Sequence, residues 1–223
     1  MTLTFLDLYN ECASQPWSMY DADAESIEDL ESALKISINK AISYLWNYQT
    51  WSFRIQKQTI KLKPNKTSYA LPSGTILQRT INSVQSHCVA CDGEYLEYTN
   101  DYDFLDNETV GKPTLFYIQG ETLNFYPVPD DNYIVNVTYA LQPYGLNEDY
   151  EKLYELKEED DYLNIPERYE SLFKNCLISL AMMYAIADEN DENYSGYRKQ
   201  YEDSLGVLLK YCRSSILDRN IVW

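Results

Sequence analysis

The sequence is short of glycine, histidine and positive charge. Seven glycines in 223 residues form no phosphate-cradling glycine-rich loop, and no Gly-x-Ser-x-Gly elbow presents a hydrolase serine. His87 is the only histidine, so a Ser/His/Asp triad would have to use that one side chain, and a His-Glu-x-x-His site cannot exist. Lys and Arg total 18 against 35 Asp and Glu, giving a formal charge of −17 and a pI near 4.3. Gripping nucleic acid by its phosphates, or docking on an anionic membrane, takes a basic patch. This balance argues against both.

Long hydrophobic runs are also lacking. Cys176–Ala187 is the longest nearly unbroken one, at twelve residues, where a bilayer-spanning helix needs about twenty. Met1 to Phe5 has neither the basic region nor the cleavage site of a signal peptide. The five cysteines, at 12, 88, 91, 176 and 212, are an odd number with no export signal, which reads as free thiols in a reducing compartment. The expectation is a soluble intracellular product, or something assembled inside a cell.

What is present is a normal core complement, 45% hydrophobic, and 22 tyrosines. Thr2–Ser14 reads as a short helix ending before Pro16. Ser26–Tyr48 reads as a long one, with Ile27, Leu30, Leu34, Ile38, Ala41 and Leu45 stepping by three and four. From Phe53 to Leu141 the texture becomes β. Gln58–Lys63, Ser68–Leu71, Thr114–Ile118, Leu123–Pro127 and Tyr133–Leu141 are β-branched or aromatic runs separated by turn residues such as Asp92-Gly93 and Gln119-Gly120. They predict five to seven strands in a small antiparallel sandwich or barrel. Pro143–Asp161 reads as an acidic connector, with eight acids and two lysines after Asn147. Pro166-Glu167 then opens a helix, and another runs from Tyr194 to Cys212. The fold class is therefore α+β. Helices from 1–52 and 162–213 form a bundle, 53–142 is an inserted β domain, 143–161 links the two, and 214–223 is a C-terminal tail.

Little in this chain asks for catalysis. His87-Cys88-Val89-Ala90-Cys91 contains half of a tetrahedral zinc site, but no second Cys/His pair completes it. A β-turn with small buried thiols, and no metal or other cofactor, is the expectation. Glu158, Glu159, Asp160 and Asp161 could hold a cation, but a solvated acidic loop explains them more simply. Arg54, Lys57, Lys61, Lys63 and Lys66 fall within thirteen residues that contain no acid. They are either a partner surface or a strand edge protected from aggregation by lysine. Both alternatives stand, as they do for the tyrosines, which suit interfaces and cores alike.

Order and spacing in the second half of the β region add a family resemblance. Gly111-Lys112-Pro113-Thr114-Leu115-Phe116-Tyr117-Ile118, Leu123-Asn124-Phe125-Tyr126-Pro127-Val128-Pro129-Asp130 and Tyr133-Ile134-Val135-Asn136-Val137-Thr138-Tyr139 resemble successive motifs of head–tail adaptor proteins of tailed bacteriophages, also called tail accessory or head-completion proteins. Trp46 to Phe53, Ala70-Leu71-Pro72-Ser73-Gly74 and Ile165-Pro166-Glu167-Arg168-Tyr169 resemble flanking features, so the likeness covers about residues 2–212.

The resemblance implies a non-enzymatic virion protein at the head–tail junction, made and assembled in the host cytoplasm. Twelve copies would form a ring that docks under the portal protein, meets tail or further ring proteins below, and extends the DNA channel without specific DNA binding. The competing classes are a virion-associated muramidase, which lacks a motif here, and a cytosolic protein-binding module. Subunit contacts are expected between Arg54, Lys57, Lys61, Lys63 and Glu158, Glu159, Asp160, Asp161 of adjacent copies. The apolar tail residues Ile216, Leu217, Ile221, Val222 and Trp223, with Arg219, are expected to dock on the portal or a neighbour, or else to fold back on the chain's own bundle.

Overall fold

The computed structural model describes residues 2–15, 27–72, 74–76, 78–81, 84–87, 89–100, 109–186 and 188–217. The fold is α+β, with four α-helices and several mostly antiparallel sheets among the described residues. The chain divides into two compact units. One is Arg54–Gln142, and the other combines Met1–Phe53 with Pro143–Trp223.

The Arg54–Gln142 unit is built from β1 (Ile55–Lys61), β2 (Ser68–Ala70), β3 (Gly74–Ile76), β4 (Gln78–Ile81), β5 (Val84–His87), β6 (Val89–Cys91), β7 (Glu94–Tyr95), β8 (Glu97–Tyr98), β9 (Leu115–Gln119), β10 (Thr122–Tyr126) and β11 (Ile134–Leu141). That exceeds the five to seven strands read from sequence. The extra ones are two to four residues long, too short for an alternating pattern to register. β11 is the spine of the larger sheet. It pairs with β1 along all seven residues on one side, and with β6 and β3 in succession on the other. A second sheet has the order β2-β10-β9-β8. Its β8–β9 pair is parallel, a departure from the wholly antiparallel expectation. β4 and β5 form a hairpin.

Turn chemistry sets these registers. Asp92 and Gly93 both have positive φ, 48° and 88°, as a two-residue hairpin turn between β6 and β7 requires. Along β11, Val135, Val137 and Tyr139 are buried while Ile134 and Asn136 are exposed. This is the alternation of a strand with one buried face. The buried side joins Ile60, Leu62, Val89 and Cys91 to Phe116, Leu123 and Phe125 of the second sheet in one core.

The other unit holds α1 (Phe5–Ala13), α2 (Ile27–Tyr48), α3 (Glu167–Ile186) and α4 (Glu192–Leu217). α1 begins with a capping box: Asp7 N–H donates to Thr4 Oγ1 and Thr4 N–H to the Asp7 carboxylate, each at 3.1 Å. α2, α3 and α4 pack around Leu34, Ile38, Ile42, Phe173, Leu177 and Leu208. An aromatic cluster lies where α2 ends. Buried Trp51 donates its indole N–H to the Leu45 carbonyl at 2.8 Å and meets Phe173 edge-on, centroids 5.5 Å apart. Phe53 lies 5.1 Å from the Tyr169 ring.

Between Leu141 and α3 the chain is more than a charged link. β12 (Gly145–Leu146) pairs with β13 (Lys152–Leu153) and β14 (Tyr162–Leu163). Tyr144, Leu156, Leu163 and Ile165 enter the helical core. Asn39 of α2 clamps this segment with both ends of its amide. Its Nδ2 donates to the Leu156 carbonyl at 2.9 Å, and its Oδ1 accepts the Leu156 N–H at 3.0 Å. Gly145 lies so close that a Cβ there would come within 2.4 Å of Leu156 Cδ2. Only glycine fits without displacing that core side chain. The result is a hairpin held firmly by the helices beneath it.

Candidate interaction surfaces

The basic segment splits into one structural cation and several surface ones. Arg54 is 4% exposed and donates Nε–H to the Leu141 carbonyl at 2.9 Å. Burial pulls its pKa down to about 10. Its charge therefore faces inward, where the sequence had placed it at a rim. Lys57 and Lys61 are exposed on β1, opposite Thr138 and Ile134 of β11. Lys63 follows, also exposed, with its backbone N–H donating to the Tyr69 hydroxyl at 2.7 Å. Lys66 Nζ lies 4.8 Å from the Tyr69 ring centre.

Strand alternation gathers one face of the larger sheet. Ile55, Lys57, Thr59 and Lys61 of β1 share it with Ile134, Asn136 and Thr138 of β11, and with Ala90 and Tyr95 beyond. None of these side chains is a carboxylate, although the chain carries −17; Asp92 stands at the corner of the face, its Oδ1 accepting the Ile134 N–H at 3.1 Å. β1 stands at one edge of the sheet order.

The acids divide in the same way. Glu158, Glu159 and Asp160 are exposed, whereas Asp161 is 4% exposed. Its carboxylate accepts the backbone N–H groups of Lys157 and Glu158 at 2.7 and 2.9 Å, closing the loop on itself. The Asp161 and Glu159 carbonyls accept from Phe5 and Leu6, which ties this loop to the start of α1. Asp161 is thus a loop-closing acceptor. A backbone-capping role leaves no trace in composition, because a buried acid reads the same as an exposed one in a run of four.

Of the tail residues, Ile216 and Leu217 end α4, which runs five residues past Cys212, where the apolar stripe fades. Arg219, Ile221, Val222 and Trp223 lie outside the described residues. So does Cys88. His87 closes β5, and Cys91 is buried in the β core, its thiol pushed up to about 11 mainly by that burial. A thiol held protonated is a poor metal ligand or nucleophile. Among the described residues, no group of three or more His, Cys, Asp or Glu could hold a metal ion. No helix there is long and apolar enough to cross a membrane. A groove of about 460 Å³ on the helical unit is lined by Asp7, Glu11, Glu170 and Lys174. Asp7 is spent on the capping box and Glu11 on an ion pair with Lys174.

The surfaces, then, are a lysine-bearing sheet face, an acidic hairpin and loop, and exposed tyrosines, of which Tyr150 and Tyr154 are the most open. A protein-family model described as SU10 adaptor protein matches residues 4–220. The chain belongs to the SU10 adaptor protein family. Membership makes the resemblance in the β motifs a shared family and points to a phage structural adaptor, a virion component working with head and tail parts. It also points away from an enzyme. Among curated proteins no match is found.

Proposed function

We propose that this SU10-family adaptor closes into a ring beneath the portal, extends the DNA channel and joins head to tail. Twelve copies is the number adopted, and tail or further ring proteins would meet its lower side. The family match across residues 4–220 carries the reading. Charge supports it. Twelve copies at −17 each bring about −200 before counterions, a field that repels phosphate and lets DNA pass without sticking. The same repulsion opposes ring closure in free solution, so the chain stays monomeric until a portal templates it.

In the same reading, the two sheets sharing one core are a β-sandwich inserted into the helical bundle. The lysines of one copy face the acidic 147–161 segment of the next, a heterologous contact of the kind that closes rings. Exposed Lys57, Lys61 and Lys63 and exposed Glu158, Glu159 and Asp160 serve here, with Arg54 and Asp161 occupied inside their own units. Residues 216–223 reach the portal.

Charges at such a rim set orientation and association rate more than final affinity. Reversing Lys57, Lys61 and Lys63 to Glu is expected to slow ring assembly on the portal by about tenfold or more at low salt. The circular dichroism melt should be unchanged, because all three side chains are exposed. Stopped-flow light scattering measures the rate. An unchanged rate at low salt would count against the contact.

A further inference from the structure

We infer that the hairpin spanning β12 and β13 is a docking knob, with Tyr150 and Tyr154 as its anchors, and that it seats on the lysine-bearing sheet face of a second copy. The inference rests on the ring reading and names the contact within it.

The knob is exposed and rigid together. Tyr150 is 76% and Tyr154 65% exposed, a large apolar area to leave in water beside a core that could have used it. Asn147 braces the turn between them and β12. Its N–H donates to the Glu151 carbonyl, its Oδ1 accepts the Glu151 N–H at 2.8 Å, its carbonyl accepts the Tyr150 N–H at 3.0 Å, and its Nδ2 donates to the Glu151 carboxylate at 3.0 Å. Tyr150 is held at φ +62°. A tyrosine in the left-handed region is strained where a glycine would not be. Below, the Asn39 clamp fixes Leu156. On a braced backbone a tyrosine, with few side-chain torsions, loses little entropy when it becomes an interface anchor.

Charge chooses the occupant. Glu148, Asp149, Glu151 and Glu155 are exposed around the two tyrosines and outnumber the exposed Lys152 between them. The sheet face offers Lys57 and Lys61, with Ile55, Tyr95 and Ile134 exposed between and beside them, and the Asp92 carboxylate at its corner is engaged by the Ile134 N–H at 3.1 Å. Opposite charges surround apolar centres on both partners. One copy carries both surfaces, so the contact is heterologous and propagates from copy to copy.

Disulfide trapping tests this in the full chain, because it accumulates even a weak encounter. One variant carries Asp149→Cys, the other Ile134→Cys, with different tags; they are mixed at high concentration and mildly oxidised. A mixed disulfide is expected at about ten times the level in tagged wild-type mixtures. Lys57→Glu with Lys61→Glu in the Ile134→Cys chain should cut it about tenfold, and Glu148→Lys with Glu155→Lys in the partner should restore it. Tyr150→Gly with Tyr154→Ala should cut it roughly 30-fold. Tyr150→Gly alone should leave the melting temperature unchanged or higher, which separates a lost anchor from a damaged fold. No mixed disulfide above wild type, or a yield indifferent to the charge and tyrosine changes, overturns the contact. Repeating the mixture on the portal separates the two claims: a ring without the disulfide overturns the knob alone, and the disulfide without a ring overturns the ring.

Discussion

Trp51→Ala is expected to lower the melting temperature by about 10 °C or more, the largest stability loss of any single change considered. The side chain is fully buried, stacks at 6° to the Phe53 ring and meets Phe173 edge-on. Truncating a buried tryptophan costs about 3–5 kcal/mol through lost burial and the cavity left behind. Its N–H also donates to the Leu45 carbonyl near the end of α2, and a buried hydrogen bond of this kind contributes about 1 kcal/mol. For a chain of this size each kcal/mol moves the transition by roughly 2–4 °C. Trp51→Phe keeps most of the area and loses only the hydrogen bond, so it should fall in between. Thermal melts followed by far-ultraviolet circular dichroism decide it. A loss below about 3 °C for alanine would mean the cluster repacks and is not the keystone of the helical core.

Removing Asp218–Trp223 should do the reverse, leaving the fold intact and abolishing portal binding. α4 is described as far as Leu217, so this cut keeps all of its described residues, which a cut at Ser215 would not. The segment carries Ile221, Val222 and Trp223 with Arg219. Burying such side chains on a partner contributes about 1.5–3 kcal/mol each, enough together to change binding by several orders of magnitude. Melting temperature and portal co-sedimentation are measured on the same truncated chain. Retained binding with a melting temperature several degrees lower would assign the tail to the chain's own core instead.

Elements with a repeating pattern were readable from the sequence, and contacts that join distant residues were not. The three-and-four spacing of Leu34, Ile38, Ala41 and Leu45 marks α2, and the alternation of Val135, Val137 and Tyr139 marks β11, because each period is a direct consequence of backbone geometry. β12 to β14 have two residues each and no room for a period. The Asn39–Leu156 clamp joins positions 117 apart, and nothing local marks an asparagine for that role. Arg54 and Asp161 carried the same misleading signal: each sits in a run of like charges, and burial singles it out only once its partners are folded around it. The end of α4 was misplaced for a related reason. Its backbone bonds are satisfied within the helix, so the helix runs on to Leu217 after the apolar stripe has stopped. Gly145 and Tyr150 are visible in the sequence as a glycine and a tyrosine, but the close approach and the positive φ belong to the fold.

The ring is tested most directly by electron microscopy of the full chain mixed with the portal protein of its own phage, beside native mass spectrometry of the chain alone. The account predicts a monomer in dilute buffer and, on the portal, an added layer of rotationally symmetric density with one closed ring of this chain around an open channel. Portal particles without that layer, or chain bound at arbitrary stoichiometry with no ring, would contradict it.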